Sequence, residues 1–214
     1  MRVTPAFDQT RTLLIAGLWP VAIAAAAGVM LLAGCTAAGR ASSPRTTANP
    51  AATSASTSTS WRPPADPSAA AARAGLPMLS QEMLAVHYHA HLDVQIAGTP
   101  IVVPAGLGID QARQRISPLH THDTSGVIHI ESQRDIPYTL GQLFIEWGQP
   151  LSARQVGPHR LAAGEVLRMF RDGQLVTGDP ATLRFAQHDE LVVWVGPAST
   201  HPTVPSTYPF PQGL

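Results

Sequence analysis

The stretch Val86-His87-Tyr88-His89-Ala90-His91-Leu92-Asp93-Val94-Gln95-Ile96 alternates without a break. Val86, Tyr88, Ala90, Leu92, Val94 and Ile96 fall on one side, and His87, His89, His91, Asp93 and Gln95 on the other. A strand turns successive side chains to opposite faces, so this reads as a strand with one buried face. The other face then carries three imidazoles, each about 6.7 Å from the next by strand rise. Ala97-Gly98-Thr99-Pro100 reads as a turn, and Ile101-Val102-Val103 as the returning arm of a hairpin.

Working outward, Gly126 to Glu131 is a further short strand. Thr139 is placed to cap a helix that runs to about Trp147, with Leu140, Leu143, Phe144 and Trp147 on one stripe and Gly148 as the stop. Val166 to Phe170 reads as a strand, Asp172-Gly173 as a hairpin turn into Leu175-Val176, and Leu191 to Val195 as a last buried strand. The order is roughly β-β-β-α-β-β-β. That predicts a small α+β domain with a mostly antiparallel sheet and one short helix, over residues 77–200. The segment 201–214 has four prolines and no periodicity, which predicts an extended strap or a disordered tail.

Six of the nine histidines lie between His87 and His129. Two His-x-His units stand out, at His89-Ala90-His91 (extended by His87) and at His120-Thr121-His122. On a strand such a pair faces one way, and two imidazoles can then converge on one ion. Three alternating histidines span about 13 Å, too far for one ion on a regular strand. The expected metal site therefore takes ligands from both units. His89, His91, His120 and His122 form its core, with His87 and His129 as further ligands or supporting groups, and Asp93, Asp123 or Glu131 orienting ring N–H groups. All-imidazole donors suit Cu(II), Zn or Ni, of which Cu(II) or Zn is the expected ion. Neutral rings bind and protonated ones do not, so affinity is expected to fall as pH drops through the usual histidine range near about 6.5. The other reading of the same residues is a polar face of solvated histidines. His159, His188 and His201 read as incidental.

The N-terminal part has a different character. Arg2 and Arg11 precede a run from Leu13 to Ala33 without charge, which closes as Leu31-Leu32-Ala33-Gly34-Cys35. A charged start, an apolar middle and a small-residue exit make an export signal. The Leu-Ala-Gly-Cys ending resembles the lipobox of bacterial lipoproteins. That resemblance implies a signal peptide over residues 1–34, acylation of Cys35, and a membrane anchor that holds the rest of the chain on the extracytoplasmic face. Cys35 is the sole cysteine, so thiolate metal sites and disulfides are excluded from the remainder. Residues 35–76, rich in Ala, Ser, Thr and Pro, read as a disordered tether. Net formal charge is zero, which does not suggest a nucleic-acid partner. From Met78 onward acids outnumber arginines by 12 to 8, a balance better matched to a cation than to an anion.

Three segments resemble a group of uncharacterised extracytoplasmic bacterial and archaeal proteins: His89-Ala90-His91-Leu92-Asp93-Val94, Leu119-His120-Thr121-His122-Asp123 with Gly126-Val127-Ile128-His129-Ile130-Glu131, and Thr139-Leu140-Gly141-Gln142-Leu143-Phe144 with Trp147-Gly148. The resemblance covers the first half of the domain and implies no particular activity. The leading expectation is a lipid-anchored protein that buffers, delivers or senses a transition ion, with a metal-exchange partner protein. A metal-dependent hydrolase is a second reading, since His120-Thr121-His122-Asp123 resembles the opening of the His-x-His-x-Asp-His pattern of metallo-β-lactamase-like enzymes. It departs from that pattern at Thr124-Ser125, so an enzyme is the less favoured reading. A cell-envelope interaction module without metal is the third.

Overall fold

The computed structural model describes residues 61–82 and 85–214. The signal segment, Cys35 and the tether up to residue 60 lie outside the described residues. Along the chain the elements are α1 (Pro67–Arg73), β1 (Val86–Ile96), β2 (Thr99–Ile101), β3 (Ile109–Asp110), β4 (Arg115–Ile116), β5 (Leu119–His120), β6 (Val127–Ser132), α2 (Leu140–Trp147), β7 (Leu151–Ser152), β8 (Gln155–Val156), β9 (His159–Arg160), β10 (Glu165–Arg171), β11 (Gln174–Val176) and β12 (Glu190–Pro197). The main sheet runs β11-β10-β12-β1-β6-β5, with β2 beside the second half of β1. The architecture is α+β and mostly antiparallel, as the alternation predicts. One pairing is parallel, that of β1 with β12, with Leu92 opposite Leu191 and Val94 opposite Val193. A parallel neighbour needs a long crossover. Here almost the whole domain is that crossover, so the first and last long strands meet at the centre.

Ala90, Leu92, Val94 and Ile96 of β1 share the main core with Ile128 and Ile130 of β6, Leu191, Val193 and Val195 of β12, and the α2 stripe Leu140, Leu143, Phe144 and Trp147. The ends of α2 are set locally. Thr139 and Gln142 form a reciprocal capping box, and Gly148 leaves the helix in the left-handed region at φ 76°. Asp172 and Gly173 both take positive φ, which is what a two-residue hairpin turn between β10 and β11 requires.

Two expectations change. The first is the boundary at residue 77. Asp66 caps α1, Ala70 and Ala71 are fully buried, and the helix packs against α2, where only small side chains let two helices approach closely. Trp61, an isolated apolar residue in the sequence, places its ring 5.2 Å from that of Trp147 and accepts the Trp147 Nε1–H with its carbonyl at 3.1 Å. The Trp61 ring occupies the space where any residue larger than Gly157 would put its Cβ. The folded unit therefore includes residues from 61 on. The second is the polar face of β1. His89 and His91 are buried, so β1 is covered on both sides over its middle. Part of that cover is the C-terminal segment, which is extended rather than disordered. Val204 packs with Phe170, Val192 and Trp194, and Tyr208 stacks on His91 with ring centroids 3.8 Å apart. Among the described residues no helix is long and apolar enough to cross a membrane.

Glu146, on the inner side of α2, is fully buried, and neither carboxylate oxygen has a hydrogen-bond partner. Burial pushes its carboxyl up to about 8, against a smaller lowering by the nearby Ser117 hydroxyl. A folded-state value above the unfolded one means that stability is full at low pH and is lost as pH rises from about 4.5 towards 8. Glu146→Gln removes this dependence. Between pH 6.5 and 8 the variant is expected to gain about 2 kcal/mol on the wild type, read from denaturant midpoints. A constant difference across that range would show that Glu146 is ionised in the fold.

Candidate metal centre

Five of the six predicted histidines meet on the second face of the sheet, at its β1-β6-β5 end. The pairing register does this directly. His89 stands opposite His129, and His87 opposite Glu131, across β1 and β6. His120 stands opposite His129 across β5 and β6. Thr121 keeps His120 and His122 on one side, because its own side chain is tied inward, donating to the Pro104 carbonyl and accepting from the Leu107 N–H.

Two all-histidine triads result, His87/His89/His129 and His120/His122/His129, and Glu82, His120 and Glu131 form a mixed group beside them, each with ligand atoms within 4.8 Å of one another. In the first, His87 Nε2 and His129 Nδ1 each lie 3.1 Å from His89 Nε2. One hydrogen or one lone pair of His89 must serve both neighbours, whatever the tautomers. Bonds of about 2.0–2.1 Å to one ion put tetrahedral nitrogens about 3.3 Å apart and square-planar neighbours about 2.9 Å apart. The two 3.1 Å separations lie between these values and equally suit N–H···N hydrogen bonds. Glu131 brings Oε1 to 3.2 Å from His87 Nε2 and 4.0 Å from His120 Nε2. In the second triad His120 is completely buried. Its Nδ1–H donates to the Ser117 carbonyl at 3.0 Å, which leaves the deprotonated Nε2 facing the cluster with no hydrogen-bond partner. A buried polar atom without a partner is uncommon and calls for a ligand. His122 is exposed, its ring centroid 5.0 Å from that of His120 and 4.5 Å from that of His129.

Electrostatics keep these rings ready to bind. Burial, then the neighbouring His87, His188 and His122, lowers His89 to about 4. Burial lowers His120 to about 3, aided by His129, His122 and His87 and opposed by the Ser117 carbonyl. Burial, then His89, His122 and His87, lowers His129 to about 4. All three are neutral at neutral pH, with lone pairs available. The expected loss of affinity near the ordinary histidine range therefore moves down for these three rings, which compete with protons only as pH approaches 4.

His91 goes elsewhere. Its Nδ1 lies 2.9 Å from Glu190 Oε2 and its Nε2 2.9 Å from the Ser125 carbonyl. Both contacts favour a charged ring that carries hydrogen on each nitrogen. Burial opposes that charge, but the bond and charge of Glu190, with Ser125 and Asp93, outweigh it and raise the pKa above 6.5. His91, Asp93 and Glu190 form a separate group, which could take an ion only by giving up one of these bonds. Gly126, at φ 91°, lets the chain pass over this ring, since a Cβ there would stand 2.8 Å from His91 Nε2. Asp93 sits beside His91, and Asp123 spends its Oδ1 on the Ser125 N–H at 2.8 Å. Of the three predicted carboxylates only Glu131 is in reach of the five-histidine cluster's nitrogens. Parity along β12 puts Glu190 on the face of Val192 and Trp194. Its partner lies 99 residues away, a pairing the sequence does not announce. His159 pairs with Glu165 at 2.8 Å, whereas His188 donates its backbone N–H to the His89 carbonyl at 2.7 Å and sets its ring 4.8 Å from that of Phe210.

No protein-family model, no curated protein and no solved structure matches the chain.

The lowered values of His89, His120 and His129 have a consequence for the metal-free protein. Unfolded histidines take up protons near pH 6.5 while the folded ones refuse them. Stability is thus full above 6.5 and falls as pH drops from there towards 4. Thermal melts of metal-free protein at pH 7, 6, 5 and 4.5 are expected to show a steep decline, shallower in His129→Gln. A midpoint unchanged from pH 7 to 4.5 would contradict the buried neutral rings.

Proposed function

We propose that this protein is a lipid-anchored, extracytoplasmic metal-binding protein that holds Cu(II) or Zn through its clustered imidazoles, for buffering, delivery or sensing. The observation that carries the reading is the convergence of His87 and His129 on His89 Nε2, both at 3.1 Å. The buried, partnerless Nε2 of His120 supports it independently. Neutral nitrogen donors without a thiolate suit borderline ions, and Glu131 and Glu82, which group with His120, offer anionic oxygen donors beside them. Three protein ligands per ion leave a coordination position for water, which suits exchange with a partner protein better than permanent structural retention. The anchor rests on Leu32-Ala33-Gly34-Cys35 and the uncharged run before it.

Calorimetric titration of the chain, purified without a histidine tag, is expected to show Cu(II) and Zn(II) binding well below millimolar concentration. His129→Ala should weaken it by more than about 100-fold, since loss of a ligand exceeds the 10–100-fold cost of losing a supporting group. Absence of wild-type binding below millimolar metal sinks the reading. The anchor is tested apart from the metal. Cys35→Ala should abolish acylation and release of the signal segment. A Cys35→Ala chain processed and retained like the wild type would count against it.

A further inference from the structure

Resting on the metal reading above, we propose that the cluster takes two ions at once, one in each triad, with His129 as the ligand they share. The triads have no other residue in common. An ion among His87, His89 and His129 would relieve the contacts at His89 Nε2 but would leave the Nε2 of His120 as it is, fully buried and without a hydrogen-bond partner. His120 belongs to the other triad, and also groups with Glu82 and Glu131, while its Nδ1 is held by the Ser117 carbonyl. The second triad thus has its own demand for a ligand.

An imidazole carries nitrogens on two sides and can ligate an ion with each. His129 directs Nδ1 at His89. Its ring lies 5.1 Å from that of His120, nearly parallel, and 4.5 Å from that of His122, nearly perpendicular. When both nitrogens bind ions, the neutral ring releases its one proton to solvent. Glu131 offsets the added charge from between the sites, with Oε1 3.2 Å from His87 Nε2 and 4.0 Å from His120 Nε2. His87 and His122, the outermost member of each triad, are exposed, so each ion can enter from solvent without opening the core.

The test is ion content per chain. The full chain, purified without a histidine tag and stripped of metal, is loaded with excess Cu(II) or Zn(II) and desalted. Two ions are expected in the wild type, one in His87→Ala and one in His122→Ala. Both substitutions are at exposed positions, so the test stands even where His129→Ala fails to fold. In the Cu(II) form the electron paramagnetic resonance intensity should fall short of total copper in the wild type, through coupling across the shared ring, and match it in each single variant. One ion per chain in the wild type overturns the two-ion proposal and leaves a single metal site. No ion overturns the metal reading as well. Two ions with a full, uncoupled copper signal overturn the sharing of His129.

Discussion

The placement of β1 inside the sheet is the constraint on which the rest depends. Its first half pairs with β6 and its second half with β2, while β12 lies parallel along the other side. A strand so placed must satisfy both faces. The even-numbered residues do this with the core under α2. The odd-numbered residues are polar, and the fold satisfies them differently along the strand: at one end imidazole meets imidazole, and at the other imidazole meets carboxylate.

That difference separates two histidines on the same strand and the same face. His89 looks across at His129, a second neutral ring, and burial with no counter-charge holds it uncharged. His91, one strand repeat further on, faces Glu190 and the Ser125 carbonyl, which favour its charged form. The first arrangement keeps a lone pair for a cation. The second uses both nitrogens to lock the end of β1 to β12 and to the loop before β6. Breaking one partner of such a buried pair costs far more than the pair contributes, because the remaining charge has nowhere to go. The His91–Glu190 contact joins β1 to β12 where the two residues stand opposite each other in the parallel register.

The ends of the described chain complete the enclosure. Trp61 closes over Trp147 on the helix side. On the opposite face the C-terminal segment lays Val204 on the small cluster of Phe170, Val192 and Trp194, Tyr208 on His91, and Phe210 on His188. This segment covers the β10-β12-β1 part of the face, while His122 and His87 remain exposed at the β6-β5 end. Cover and opening on one sheet face thus follow from where the strap runs.

Much of this was legible in the residues themselves. Alternation over 86–96, the Thr139 and Gly148 helix ends and the Asp172-Gly173 turn are local signals, and the structure follows them because they act within a few residues. The density of His-x-His units likewise marked where donors would gather. What the sequence could not decide is which donors meet, because strand partners are long-range. The His89–His129 and His120–His129 registers bring five rings together, and the parallel return of β12 removes the sixth by offering it Glu190. Trp61, α1 and Tyr208 escaped for the same reason. An Ala-rich helix and a tryptophan in a Ser/Thr/Pro-rich stretch, or a tyrosine among prolines, have no period of their own. Their order comes from surfaces that exist only once the sheet and α2 have assembled.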